Sequence, residues 1–163
     1  VTKYRQVYES ERGVFVEHRN VAVVGWRDAP DVADIHAWHR LGQSMTKEHG
    51  KCACIDVVMR GTPRFSDEVR RASEELARDT KIFELGFAHA LLMPGLGGSA
   101  VRAFIGTILL VTRPPAPAKV LGDVPAAVDW LLPKLGEGWT RGELVAACDH
   151  VVARLNIGAP SST

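Results

Sequence analysis

Hydrophobic positions along this chain alternate between two periods. Residues 13–20 (GVFVEHRN) and 21–27 (VAVVGWR) are short, apolar and rich in β-branched residues, and they read as two strands. Arg19-Asn20 between them has turn chemistry, so a hairpin is expected. The preceding residues 1–12 are polar and mixed, with Tyr4, Val7 and Tyr8 able to pin a short helix or strand to the body. From Val32 to His49 the positions Val32, Ile35, Trp38, Leu41, Gly42 and Met45 recur at helical spacing. Asp31 is the predicted N-cap of that helix and Gly50 its stop. Cys52–Met59 reads as a buried strand. Ser66 then caps a helix over 67–79, with Asp67 and Glu68 in the first turn, where the helix dipole favours negative charge. Its buried side is Val69, Ala72 and Leu76. Its solvated side carries Asp67–Arg71 and Glu74–Arg78 at the i,i+4 spacing.

Phe87–Leu92 is the next apolar strand. A glycine-rich turn, 93–100 (MPGLGGSA), follows it, and Ser99 is the expected N-cap of a helix reaching Val111. Pro114-Pro115-Ala116-Pro117 stops that helix, and residues 118–122 form a short last strand. Asp123 caps a further helix with Pro125 in its first turn, burying Val128, Leu131 and Leu132. Thr140 and Glu143 match a capping box for a final helix, with Leu144, Val145, Cys148, Val151, Val152 and Leu155 on one stripe. This alternation predicts an α/β fold: a mixed, mostly parallel five-stranded sheet with its first strand antiparallel, and helices packed on it. Residues 1–12 are then an extension, 13–136 the domain, 137–157 an appended amphipathic helix and 158–163 a flexible tail.

Composition narrows the function classes. The 163 residues make one domain able to bury a core unaided. Lys plus Arg is 20 and Asp plus Glu is 19, which leaves no electrostatic footprint for nucleic acid or an anionic membrane. Nothing reads as a signal peptide, and the longest apolar run, Ile105–Val111, is too short to span a bilayer. Three cysteines, two of them in one strand, imply a reducing compartment, so a cytoplasmic location is expected.

Several stretches are candidates for chemistry. Gly97, Gly98 and Ser99 offer backbone N–H groups to an anion, with Arg102 one turn on. The stretch lacks the Walker lysine and the third glycine of a dinucleotide fingerprint, and a tight packing turn accounts for the same residues. His36, His39, His49, Cys52 and Cys54 are metal-ligand types, but their spacing fits no zinc motif, so no metal and no cofactor is expected. No serine sits in a GxSxG elbow and no cysteine at a helix N-terminus, so no catalytic residue is assigned. Asp56 lies inside an apolar strand, and a buried Asp needs a partner or a site. Asp56 and the Arg60–Ser66 loop approach the carboxyl end of that strand, where open parallel sheets place ligands. Capping of loop N–H groups is the alternative role for Asp56.

The segments 98–107 (GSAVRAFIGT), 109–115 (LLVTRPP) and 119–121 (KVL), with the Ala126-Ala127-Val128-Asp129-Trp130-Leu131 helix, complete a pattern begun by Asp56 and the Ser66-capped helix. Over about residues 13–135 the chain resembles a bacterial branch of the STAS-like superfamily, the fold of the anti-sigma-factor antagonists. The resemblance implies a β-α sandwich that docks to protein partners and is not an enzyme. In antagonists of that family a phosphorylatable Ser directly follows the strand ending in Asp. Here Val57-Val58-Met59 follow Asp56, and the candidate phosphosites are Ser66 and Thr62. The implied interaction surface is Asp56, Arg60, Thr62, Arg64 and Ser66. A rival reading holds a small anionic group between the helix N-termini at 66 and 99, with Arg60, Arg64 and Arg102 supplying charge. A third makes the chain a subunit of a larger assembly, or a homo-oligomer, through its last helix; covering a sheet face is the equal alternative for that helix.

Overall fold

The Arg19-Asn20 turn forms as expected, with Arg19 in the left-handed region at φ 53°. The computed structural model describes residues 3–61 and 65–157. Around the turn, β2 (Gly13–His18) and β3 (Val21–Trp26) pair antiparallel and are buried along their whole length. The polar start of the chain is a strand as well: β1 (Arg5–Glu9) pairs antiparallel with β2. It is an exposed edge strand whose charges (Arg5, Glu9) suit an edge.

From β3 onward the chain alternates helix and strand. In order come α1 (Val32–His49), β4 (Ala53–Val58), α2 (Asp67–Arg78), β5 (Gly86–Leu91), α3 (Gly95–Thr112) and β6 (Ala118–Leu121). Strands β3 to β6 pair parallel, and the sheet order is β1-β2-β3-β4-β5-β6. The expected sheet of five mostly parallel strands is therefore corrected to a mixed sheet of six. The physical reason is that short polar strands lack the apolar alternation that betrays a strand. Each right-handed crossover steps in the same direction, so α1, α2 and α3 all fall on one face. The chain then returns through α4 (Val124–Leu131), a 3₁₀ turn at Leu132–Lys134, and α5 (Arg141–Ile157) to cover the other face.

Strand alternation divides the core in two. Ala53, Ile55 and Val57 point to α4 and α5, while Cys52 and Cys54 point to the α1 side with Trp26, Trp38, Met45 and Phe83. Helix α5 lays Leu144, Ala147, Cys148, Val151 and Leu155 onto the sheet, all at 0–1% exposure. Of the roles expected for the last helix, covering the sheet face is the one its apolar stripe serves within this chain. Gly25 of β3 admits this close approach: a Cβ there would strike Val151 and Leu155.

The caps at Asp31, Ser66 and Asp123 hold as expected, each accepting a backbone N–H three residues on. On α2, Glu74 pairs with Arg78 as expected, while Asp67 meets Arg70 rather than Arg71. Only half of the capping box at α5 forms. Thr140 Oγ1 accepts the Glu143 N–H at 3.2 Å, but the Glu143 carboxylate turns to His18 Nε2 at 2.8 Å, tying α5 to β2. Burial alone pushes Glu143 up, yet the His18 hydrogen bond and the nearby Arg19 hold it below its ordinary 4.5. Asp79 behaves alike: burial is outweighed by His39 and by the Lys81 N–H, and it falls below 3.8. A carboxyl with a depressed folded pKa stabilises the fold above its unfolded value, and that stabilisation drains as pH falls through the folded value. The urea midpoint is accordingly expected to fall progressively below about pH 4.5. Asp79→Asn and Glu143→Gln flatten that acid limb; an unchanged limb in both variants refutes the assignment.

Candidate functional site

Helix α3 does not lie on the sheet as a crossover helix normally would. It begins at Gly95, four residues before the expected Ser99, with Pro94 as N-cap and no side-chain cap. At 18 residues it is, among the described residues, the one helix long and apolar enough by length and composition to cross a membrane. Yet only Gly98 and Ile108 in it are buried, and Leu96 and Leu110 are 90% and 70% exposed. Gly98 sets the helix start: a Cβ there would collide with the Met93 carbonyl. Phe104 stacks on Phe65 with ring centroids 4.1 Å apart, and this stack braces α3 beside the start of α2.

Beneath α3 lies a cavity of about 150 Å³. Its floor is the face of β3–β5, including Trp26, Val58 and Phe87. Its walls include Trp38 of α1, Val69 and Leu76 of α2, and Val101, Phe104 and Ile108 of α3. Phe83, also in the wall, is buried with φ 49°, a left-handed conformation that costs a bulky residue about 1–3 kcal/mol. The cavity therefore runs over the sheet face and reaches the carboxyl ends of β3, β4 and β5, where Asp28, Arg60 and Met93 line it.

One polar pair stands in this apolar floor. Asp56 of β4 and His89 of β5 are register partners in adjacent parallel strands. Their side chains point into the same layer, and His89 Nδ1 lies 2.9 Å from Asp56 Oδ2. Asp56 is 3% exposed and His89 8%. The His89 ring stacks on Phe87, with centroids 4.6 Å apart, which fixes its plane. Asp56 Oδ1 is buried with no hydrogen-bond partner, and so is Trp38 Nε1. Asp56 thus has a side-chain partner on the next strand, the need that the sequence posed. His89 carries the signal that was missed: a lone titratable residue in an apolar strand, level with Asp56 once the strands align.

The other expected residues distribute unevenly. Arg60 lines the cavity with Gly61 and Phe65. Thr62 and Arg64 lie outside the described residues. Ser66 is exposed, and its Oγ accepts the Val69 N–H at 3.2 Å. Gly97, Gly98 and Ser99 are helical, so of the three only Gly97 keeps an N–H free of the helix ladder. Arg102 is exposed and is not among the cavity-lining residues.

Cys52, Cys54 and Cys148 are free and buried. Burial pushes Cys52 to about 11 and Cys148 to about 12, and burial with the nearby Asp56 pushes Cys54 well up, so none is a thiolate at neutral pH. Glu17, Glu48 and His49 bring three ligand-type atoms together. There the Arg5 guanidinium already bonds Glu17 at 2.6 Å and Glu48 at 3.2 Å, making an ion-pair network. His39, another expected metal-ligand type, is bonded to Asp79 at 2.8 Å. Neither a family model, nor a curated protein, nor a solved structure matches this chain.

Proposed function

We propose that this chain is a binding domain for a small, largely apolar molecule held beneath α3. The observation that carries the reading is the cavity itself, about 150 Å³, walled by Trp26, Trp38, Phe83, Phe87 and Phe104. An apolar cavity of roughly 150 Å³ takes up a benzene-sized molecule in a protein interior. A concave apolar site with a few polar groups at one end is the usual form of a small-molecule pocket. Helix α3 buries little of itself, so it is the wall most easily displaced to admit a ligand.

The anion-binding alternative has less support, because Arg60 is the one Lys or Arg lining the cavity among the described residues. Protein docking through Arg60–Ser66 stays a second proposal, together with the STAS-like kinship. The observation on its side is that Phe65 and Ser66 are exposed where that segment meets the cavity.

Toluene is the test probe. Titration into the full chain is expected to change the fluorescence of Trp26 and Trp38 saturably and to raise the melting temperature. Ser73→Phe places a ring in the cavity from α2 and is expected to abolish the response while the fold is kept. No saturable response in the parent chain refutes the reading.

A further inference from the structure

The floor of the cavity is apolar except where Asp56 and His89 stand, and Asp56 is half satisfied. One carboxylate oxygen meets His89 at 2.9 Å; the other is buried and meets nothing. A buried oxygen without a partner is costly, and native interiors rarely keep one without a reason. From this free oxygen we infer that the ligand carries a hydrogen-bond donor, a hydroxyl or an ammonium, on a single aromatic ring. The inference rests on the binding role proposed above and specifies its ligand.

Three observations set that chemistry. The size is that of one ring, because an apolar space of about 150 Å³ accommodates benzene. The walls are aromatic, with Trp26, Trp38, Phe87 and Phe104 giving a ring edge-on and offset-stacked partners. The open polar atom of the floor is an acceptor, while the Trp38 Nε1–H in the wall has the Cys54 sulfur beside it. Asp56 Oδ1 is the oxygen left without a donor, the other carboxylate oxygen being engaged by His89 Nδ1. Asp56 stands at this floor and, among the described residues, Arg60 is the one Lys or Arg on the lining, so a carboxylate ligand is disfavoured. The rival reading, an anion at Gly97, Gly98 and Ser99 with Arg102, concerns residues off this lining.

The experiment titrates the full chain at neutral pH with four probes of one shape: toluene, benzyl alcohol, benzylamine and benzoate. Benzyl alcohol or benzylamine is expected to bind about tenfold tighter than toluene, the worth of one added hydrogen bond to a charged acceptor, and benzoate weakest. In the Asp56→Leu/His89→Leu double variant the donor advantage is expected to vanish while toluene still binds. Toluene binding in that variant shows that the cavity persists. A preference for the alcohol over the amine identifies a neutral head group and the reverse a cationic one; either supports the inference. If all three neutral or cationic probes bind equally, or benzoate binds best, the inference is overturned while the cavity's binding role stands. If none of the four binds, the binding role itself fails.

Discussion

Ending the chain after Gly136 is expected to abolish cooperative unfolding. Helix α5 is the main cover of β2 and β3 on their α4 side, and it buries Leu144, Ala147, Cys148, Val151 and Leu155 almost completely. Burying a Leu or Val side chain is worth about 1.5–3 kcal/mol, so Leu144, Val151 and Leu155 alone supply about 5–9 kcal/mol. That is comparable to the whole stability of an ordinary domain, about 5–15 kcal/mol. The loss is compounded on the other side of the interface, where Val14, Val16, Val21 and Val23 would face water. The His18–Glu143 bond and the Trp139 Nε1–Asn20 bond, 2.8 and 3.1 Å, go as well. Circular dichroism during a urea titration reads the outcome. A sharp transition within a few degrees or tenths molar of the full chain would show that α5 is an appendage after all.

His89→Ala is expected to destabilise the fold by about 3 kcal/mol, the upper end of the cost of leaving a buried acceptor without its hydrogen-bond partner. The variant strands Asp56 with both oxygens unpaired in an apolar layer. Replacing both residues, as Asp56→Leu/His89→Leu, removes the buried charge together with its partner. Such replacements are often neutral or stabilising, so the double variant is expected to recover most of the loss. The measurement is a double-variant cycle in urea, with Asp56→Leu as the remaining corner. A His89→Ala variant within about 1 kcal/mol of the parent would mean that Asp56 is not held as a buried, partnered carboxylate. A stable double variant combined with lost ligand selectivity would show a pair retained for recognition and not for the fold.

Much of the fold was legible because local chemistry and periodicity agree. Asp31, Ser66 and Asp123 each cap the helix they announce, and Arg19-Asn20 makes its hairpin. Where a segment carries little local signal, the expectation failed. The Arg5–Glu9 edge strand, mostly polar but with Tyr8 stacked on Phe15, is open in the sequence to either a helix or a strand. The Gly95–Ser99 segment looked like a loop because its glycines have poor helix propensity, yet packing of Gly98 against Met93 starts the helix there. The candidate site was half legible. Asp56 stood out as a carboxyl in an apolar strand, but its partner depends on the register of β4 with β5, which no local pattern encodes. The cavity could not be read at all. It exists because α3 stands off the sheet, and that depends on how helices pack, not on which residues form them.

The strand order β1 to β6 follows the chain, so each strand on leaving the ribosome finds its neighbour already made. The β2–β3 hairpin contact is local in sequence and forms quickly. The opposite face of the hairpin has no such neighbour until α5, the last of the described helices, returns to it. During synthesis at about 5–20 residues per second, the valines of β2 and β3 therefore stay open for many seconds after they pair. The growing chain presents a finished hairpin with an uncovered apolar side, a binding surface for a chaperone that exists only until the last turn of α5 is made.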